Sequence, residues 1–313
     1  MGRYKEIDIN KVRTYSLSQR SSKVNVEQDA LPPRPEMSVN DLFKGLPKVL
    51  KAEDLKSIAR KIREAMERNK PVLVMLGGHV IKTGCAPILI DLMEKGYITH
   101  LASNGAVAIH DTELALWGQT SEDVLEQLKD GSFGMVSETA GVLNKSASKA
   151  AREELGFGES LGISLSDIKP PFGQRSLLVN AHNISVPFTV HVGIGTDIVH
   201  QHPSADGASI GQASMKDFRI FAHTVSRLNN GGVVLNLGCA VIMPEVFLKA
   251  LSVARNLGSP VTNLTTANFD MIQHYRPLIN VVQRPVQDGG NGYSITGHHE
   301  IMIPLLAAAI YCL

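Results

Sequence analysis

The eleven residues 72–82, VLVMLGGHVIK, constrain the fold of this chain more than any other stretch. Small and β-branched apolar residues run as far as Gly77 and Gly78, and a polar, helix-compatible stretch follows. A buried parallel strand passes into a helix in this way at the edge of an α/β sheet, where ligands bind. The stretch therefore predicts a strand whose end belongs to a ligand crevice.

Apolar runs that end in small or polar residues recur along the chain, at 98–106, 185–195, 232–240 and 260–267. We predict strands at 72–76, 98–102, 176–180, 186–192, 232–237 and 260–265, and helices at 52–68, 85–95, 121–129, 139–155, 212–228, 244–256 and 298–312. This alternation predicts an α/β protein with a Rossmann-like, mainly parallel sheet and helices on both faces.

The first 36 residues differ in character from the rest, since they are polar and end in a proline-rich stretch at 31–35. We predict an extended N-terminal arm over 1–36, lying on the main body or on a neighbouring subunit, and a single α/β domain over 37–313. The segment 288–292, DGGNG, is interpreted as a surface turn before the final helix.

Composition excludes several classes of function. The formal charge is +1, and no basic run indicates a nucleic-acid surface. No segment approaches the ~18 uninterrupted apolar residues of a membrane span. Three cysteines, Cys85, Cys239 and Cys312, are too few and too scattered for a disulfide framework. We expect a protein of a reducing compartment, the cytoplasm, with a small-molecule ligand and neither a membrane nor a nucleic-acid partner.

Histidines supply the candidate catalytic groups. His110 lies beside Asp111, and Asp197 precedes His200 by three positions, so each pair suits a base and its orienting carboxylate. We name His110, Asp111 and His200 as candidate catalytic residues. With His202 added, the same histidines and aspartates could instead bind a divalent metal in a hydrolase, although the spacing matches no specific metal motif.

The order of these elements resembles the deoxyhypusine synthase family over about residues 40–313. The stretches that carry the resemblance are 71–84, 96–106, 184–197, 231–240, 264–270 and 300–306. The resemblance implies NAD lying across the strand ends and sites built at a subunit interface of a tetramer. The implied NAD-binding positions here are Gly78, Ser103, Asn104, Gly105, Ala106, Asp197, Gly238, Cys239, Ala240, Thr266 and Ala267.

One departure from that family excludes its reaction. The family forms an imine on a lysine amine in its C-terminal quarter, and this chain has no lysine after Lys249. Arg276 and Arg284 are the cations near the expected place, and a guanidinium is not a nucleophile at neutral pH. The expectation is a divergent member that is not a true deoxyhypusine synthase.

Three functions stay open on these residues. The first is an NAD-dependent transferase or oxidoreductase acting on another substrate, with an arginine, Arg276 or Arg284, holding an anionic group. The second is the metal-dependent hydrolase, and the third is a non-catalytic ligand-binding or assembly protein. Because the last helix is apolar almost all round, we also expect a partner subunit to cover it, in a homodimer or homotetramer that buries Ile303, Leu306 and Ile310.

Overall fold

A single sheet of six parallel strands organises the molecule in the computed structural model, which describes residues 2–313. The strands are β1 (Val72–Leu76), β2 (His100–Asn104), β3 (Phe188–His191), β4 (Val233–Leu237), β5 (Leu264–Asp270) and β6 (Gly290–Thr296). Their order across the sheet is β3-β2-β1-β4-β5-β6. Every neighbouring pair is parallel, which confirms the predicted fold class.

Helices cover both faces of this sheet. They are α1 (Val39–Gly45), α2 (Leu50–Glu67), α3 (Gly78–Lys82), α4 (Ala86–Glu94), α5 (Gly105–Trp117), α6 (Val124–Gln127), α7 (Ser137–Glu153), α8 (Phe157–Ile168), α9 (Leu177–Asn183), α10 (Gly207–Ser226), α11 (Ile242–Asn256), α12 (Tyr275–Pro277) and α13 (His299–Cys312). A short π-helical turn, Leu278–Gln283, follows α12.

Two apolar cores lie on opposite faces of the sheet. In β1, Val74 packs into the core that contains α2 and α13, while Leu73 and Met75 pack into the core that contains α10 and α11. Because side chains alternate across a strand, a strand buried on both faces must be apolar at every position. This requirement explains why all five residues of β1 are buried hydrophobics.

The strand order reverses between β1 and β4. The chain builds β1, β2 and β3 outward in one direction, and then returns to the other side of β1 to add β4, β5 and β6. The loops that leave β1 and β4 therefore diverge at their carboxyl ends and leave a crevice, which is where open α/β sheets bind ligands.

Three parts of the predicted element list are wrong. Residues 176–180 form the start of helix α9, because the Ser176 hydroxyl caps it at the amide of Val179. The strand predicted at 260–265 is β5, which runs from Leu264 to Asp270. The segment 288–292 is a turn only at 288–289, since its last three residues begin edge strand β6. Glycine fits at 292 because a Cβ there would overlap the carbonyl of Val282.

The last helix, α13, is covered within its own chain. It packs against α2, and Ile303, Leu306 and Ile310 are 2%, 3% and 1% exposed without any partner subunit. The apolar character of α13 therefore does not require a partner subunit, because intrachain packing already covers this surface. Across residues 2–313, no helix combines the length and the apolar character needed to cross a membrane.

Candidate functional site

The ends of β1 and β4 approach each other through backbone at Gly77 and Gly238. The amide of Gly77 donates to the carbonyl of Leu237 at 2.9 Å, and a Cβ at position 77 would overlap the carbonyl of Gly238. Gly238 itself has φ +68°, a left-handed conformation that favours glycine. A side chain at position 77 would separate the two strand ends, so the close approach requires glycine there.

The neighbouring strand β2 ends against a buried carboxylate. Asn104 caps α5 by accepting from the amide of Val107 at 3.3 Å, and Gly105 begins the helix. A Cβ on Gly105 would overlap the carboxylate of Asp197. Oδ2 of Asp197 is buried and has no hydrogen-bond partner among residues 2–313. Burial raises the pKa of Asp197 to about 6.

His200 is held beside Asp197, as the sequence suggested. Its Nδ1 accepts from the amides of Gly195 at 3.1 Å and Asp197 at 3.3 Å. Its Nε2 lies 4.0 Å from Asp197 Oδ2, beyond hydrogen-bond distance. The two accepted amides place the ring proton on Nε2, and burial lowers the pKa of His200.

His110 projects from α5 towards the end of β1. Its Nδ1 lies 2.7 Å from Oγ1 of Thr120, and the Thr120 hydroxyl donates to Glu113. Since threonine has one hydroxyl hydrogen, His110 must donate from Nδ1, which leaves the lone pair on Nε2. Burial, together with nearby Lys82 and His79, lowers the pKa of His110 to about 4, so the ring is a neutral base at pH 7.

The expected pairing of His110 with Asp111 is wrong. The Asp111 carboxylate accepts from the hydroxyl of Ser176 at 2.6 Å and from the amides of Leu177 at 2.8 Å and Leu178 at 3.1 Å. Adjacent helix residues point in different directions, and Asp111 turns towards the N-terminus of α9. Asp111 fixes that helix, while the Thr120–Glu113 pair orients His110.

Two adjoining cavities open beside these groups. One, of about 210 Å³, is lined by His110, Asp197 and Lys82 among others. The second, of about 390 Å³, is lined by Thr120 and Trp117 and shares Glu113, Ser121 and Glu122 with the first. The predicted base and the unpartnered Asp197 carboxylate therefore lie on one cavity at the carboxyl end of the sheet.

The implied NAD-binding positions divide into two groups. Most lie at the carboxyl ends of β1, β2, β3 and β4 or in the loops and helix starts that follow: Gly78, Ser103, Asn104, Gly105, Ala106, Asp197, Gly238, Cys239 and Ala240. Thr266 and Ala267 do not, because β5 continues past them, and they pair with Val234 and Leu235 inside the sheet. The Cys239 thiol is buried, which raises its pKa, so it fills space and is not a reactive thiolate.

His299 was not among the predicted site residues. This residue begins α13, is 2% exposed, and its Nδ1 has no hydrogen-bond partner among the described residues. A Cβ at Gly238 would overlap its Nε2. Its place in the adjacent pair His298-His299 was visible, but strand β6, which delivers it to the crevice, was not predicted.

The geometry gives the metal hydrolase no support. No cluster of three or more histidine, cysteine, aspartate or glutamate side chains in residues 2–313 is arranged to hold a metal ion. His202 Nε2 lies 2.8 Å from the carbonyl of Gly134, and Asp111 serves α9. The arginines expected to hold an anion are also engaged, Arg276 with Glu245 at 3.4 Å and Arg284 with Asn280 at 2.8 Å.

A family model matches the part of the chain that contains β1 and β2. Residues 56–138 match the family model for the C-terminal Rossmann fold of arginine dihydrolase ArgZ-like proteins. An ornithine cyclodeaminase of Methanothermobacter thermautotrophicus is 34% identical over 64 residues, 20% of this chain and 16% of that protein. An ornithine cyclodeaminase of Methanococcus maripaludis is 30% identical over 98 residues, 28% of this chain and 24% of that protein. The matches thus span a quarter or less of these relatives.

Solved structures extend the similarity over most of the chain. A conserved putative LOR/SDH protein from Methanococcus maripaludis S2 has a TM-score of 0.53 at 18% identity, covering 90% of this chain and 73% of that one. AgrE in a ternary complex with ornithine and NAD+ has a TM-score of 0.52 at 15% identity, covering 83% of this chain and 33% of that one.

The resemblance to deoxyhypusine synthase is therefore wrong. The family match and the structural neighbours are ArgZ, AgrE and LOR/SDH proteins. Buried strands that end in glycine, alanine or asparagine are common to parallel sheets that approach a ligand through backbone, so the quoted stretches do not distinguish one such family from another. This chain has the Rossmann-type α/β fold of those proteins, and residues 56–138 match the model of the ArgZ-like C-terminal Rossmann fold.

Proposed function

We propose that this chain binds NAD+ in the crevice between β1 and β4 and acts on a small amino acid of the ornithine type. The observation that carries the proposal is the backbone contact of Gly77 with Gly238 at the point where the strand order reverses. Glycines at strand ends, which carry no side chain of their own, allow a pyrophosphate to lie close to the backbone. A structural neighbour, AgrE, has been solved with NAD+ and ornithine, which supports the same ligands here.

The chain offers groups that fit the parts of a dinucleotide. The first amides of α5, a helix of thirteen residues, are donors for a phosphate, because the first turn of a helix has unpaired N–H groups. The unpartnered Oδ2 of Asp197 is an acceptor for a ribose hydroxyl. Ser103 Oγ, also buried and unpartnered, lies at the end of β2, next to this helix.

The chemistry follows from the neutral His110 ring. Bound NAD+ supplies a hydride acceptor. His110 Nε2 takes the proton released from the amine or hydroxyl on the carbon that gives up the hydride, while Thr120 and Glu113 hold the ring through Nδ1. Glu122 and Lys82, on the same cavity, have the charges needed for the ammonium and carboxylate groups of an amino acid.

Thermal unfolding at increasing NAD+ concentrations tests the binding step. A ligand that binds only the folded state adds about 2.7 kcal/mol of stability at a hundred times its Kd, so the melting temperature should rise continuously with NAD+. Gly78→Ala should weaken this response, because its Cβ would lie 3.2 Å from both Ala106 and His110 and fill the crevice.

A matched glycine variant provides the control. A Cβ on Gly141, in α7, meets nothing within 4 Å, so Gly141→Ala should respond to NAD+ like the parent. A parent melting temperature that stays flat up to millimolar NAD+ would contradict the proposed cofactor. Release of ammonia from ornithine, measured with and without NAD+, then tests the substrate class separately.

A further inference from the structure

The N-terminal segment 2–26, which we term the basic arm, exposes apolar side chains to solvent along its length. Ile7, Val12 and Val26 are 87%, 68% and 81% exposed. The hydrogen bonds of the arm stay within residues 2–29, where they form short 3-10 turns such as Ile9–Lys11 and Leu17–Gln19. The arm thus makes local structure but leaves its apolar residues uncovered by its own body.

The base of the arm is fixed to the body. Lys48 donates its amide to the carbonyl of Gln28 at 3.0 Å, and Leu31 donates to the carbonyl of Gly45 at 2.9 Å. Beyond this anchor, about 25 residues can span up to roughly 80 Å when extended. The arm is therefore long enough to reach across a neighbouring molecule.

A second uncovered apolar surface lies beside the candidate site. Residues 119–138, which we term the acidic segment, contain α6 and the loops around it. Leu125, Leu128 and Met135 are 79%, 61% and 47% exposed there. Ser121 and Glu122 of the same segment line both cavities, so whatever covers this segment also covers the mouth of the site.

The two surfaces carry opposite charge. The basic arm has six lysines and arginines against two acidic residues, a formal charge of +4. The acidic segment has five aspartates and glutamates against one lysine, a formal charge of −4. Complementary charges steer and orient association, while the buried apolar area supplies most of its free energy.

We propose that the basic arm of one molecule binds the acidic segment of a second copy of this chain and closes the candidate site of that copy. A symmetric dimer would bury both arms by the same contact made twice. The site of a single molecule is then incomplete, because its cavities open beneath an apolar surface that the partner's arm covers. The proposal concerns contact between copies and holds whether or not a nucleotide is bound.

Disulfide cross-linking of full-length chains tests the contact directly. One chain carries Val12→Cys, and a second, distinguishable by an affinity tag, carries Leu125→Cys. Mixing them under mild oxidation should give a covalent dimer of the tagged and untagged chains. Of the native cysteines, Cys85 and Cys239 are buried and Cys312 is half-buried, so each single variant alone measures the background.

A matched control replaces Leu125 with a residue of equal exposure elsewhere. Leu257, after the end of α11, is also 79% exposed, but it lies in the connection from β4 to β5, on the other side of β1 from β2 and β3. Val12→Cys mixed with Leu257→Cys should give a mixed dimer only at the background level. High salt should also slow the Val12–Leu125 cross-link, because exposed charges are screened.

Two results would overturn the proposal. One is a mixed dimer yield no higher with Leu125→Cys than with Leu257→Cys. The other is cross-linking of the double variant, Val12→Cys with Leu125→Cys in one chain, only within the monomer, which would place the arm on its own body. Nucleotide binding, followed separately by thermal unfolding, leaves both results unaffected.

Discussion

His110 can act as a base at Nε2 because its Nδ1 donates a hydrogen bond to the hydroxyl of Thr120. The Thr120 hydroxyl donates its hydrogen bond to Glu113 and therefore accepts one from His110 Nδ1. Thr139 donates to the second oxygen of Glu113 at 2.9 Å. The ring is thereby fixed in one tautomer with its lone pair on Nε2. Burial further keeps it neutral by lowering its pKa to about 4.

The first prediction follows from that lowered pKa. The turnover rate should stay level from pH 8 down to about pH 5 and fall only as His110 is protonated below its pKa of about 4. An unperturbed histidine would instead lose activity near its ordinary pKa of about 6.5. His110→Gln should reduce the turnover number by about 10²–10⁴-fold. A rate profile that bends near pH 6.5 would contradict this role.

Asp197 should impose a different pH dependence, on binding. Its pKa of about 6 means that the carboxylate, the better hydroxyl acceptor, is lost below that pH. NAD+ affinity should therefore fall as the pH drops through about 6, and in Asp197→Asn it should be weaker and independent of pH over that range. Titrations followed by calorimetry at pH 5 and pH 8 measure both effects.

At the scale of whole elements, a buried carboxylate on α10 joins three of them. Oδ2 of Asp217 accepts from the amide of Gly158 at 2.9 Å, at the start of α8, and from the amide of Val190 at 2.8 Å, on β3. Burial, the largest influence, raises the pKa of Asp217 to about 8, although these amides oppose it.

Stability should fall as the pH rises because of this residue. The folded chain holds the Asp217 proton up to about pH 8, whereas the unfolded chain releases it near pH 3.8. Between these values the folded state binds more protons, so the free energy of unfolding decreases with increasing pH. Asp217→Asn should flatten this slope, and Asp217→Ala should cost about 2–5 kcal/mol by leaving buried amides unpaired. Urea unfolding at pH 5 and pH 8 measures these changes.

The sequence predicts an element well when neighbouring residues in the chain determine it. Strand β1 was predicted with the observed bounds, because burial on both faces makes every residue apolar. The sequence predicts a strand where the structure has helix α9. The N-terminus of this helix is held by Asp111, more than sixty positions earlier in the chain, and a contact so distant leaves no local pattern. Strand β6 was missed, because its glycines are required by close contacts with distant backbone, Gly290 with Leu264 and Gly292 with Val282.

The candidate site also combines features that neighbouring residues determine with features that distant residues determine. The glycines at the strand ends and the proximity of Asp197 to His200 are visible in the sequence, because close neighbours in the chain define them. Their part in binding or catalysis stays a prediction. The link from His110 through Thr120 to Glu113 was not, because it depends on a chain reversal after α5. Contacts made between elements leave no periodicity in the residues that make them.

For the molecule as a whole, association remains a prediction that now rests on the basic arm. Light scattering should give about twice the 33.9 kDa monomer mass at micromolar concentration and low salt. Reversing two arm charges, Lys11→Glu with Arg13→Glu, should shift the mass towards the monomer, because both are then repelled by the acidic segment. Reversal of Arg175 and Arg219, which are exposed and form no ion pair within residues 2–313, serves as a control and should leave the mass unchanged.

The reversal of strand order at β1 also governs how this chain can fold. Val72 pairs with Val233, so closing the centre of the sheet joins residues about 160 positions apart. Contacts so distant in sequence form slowly, since the entropy of the loop is lost before they can stabilise anything. Until β4 pairs with β1, the three strands β1, β2 and β3 leave one edge of β1 unpaired. During synthesis that apolar edge is the part of the chain most exposed to aggregation, until β4 arrives to cover it.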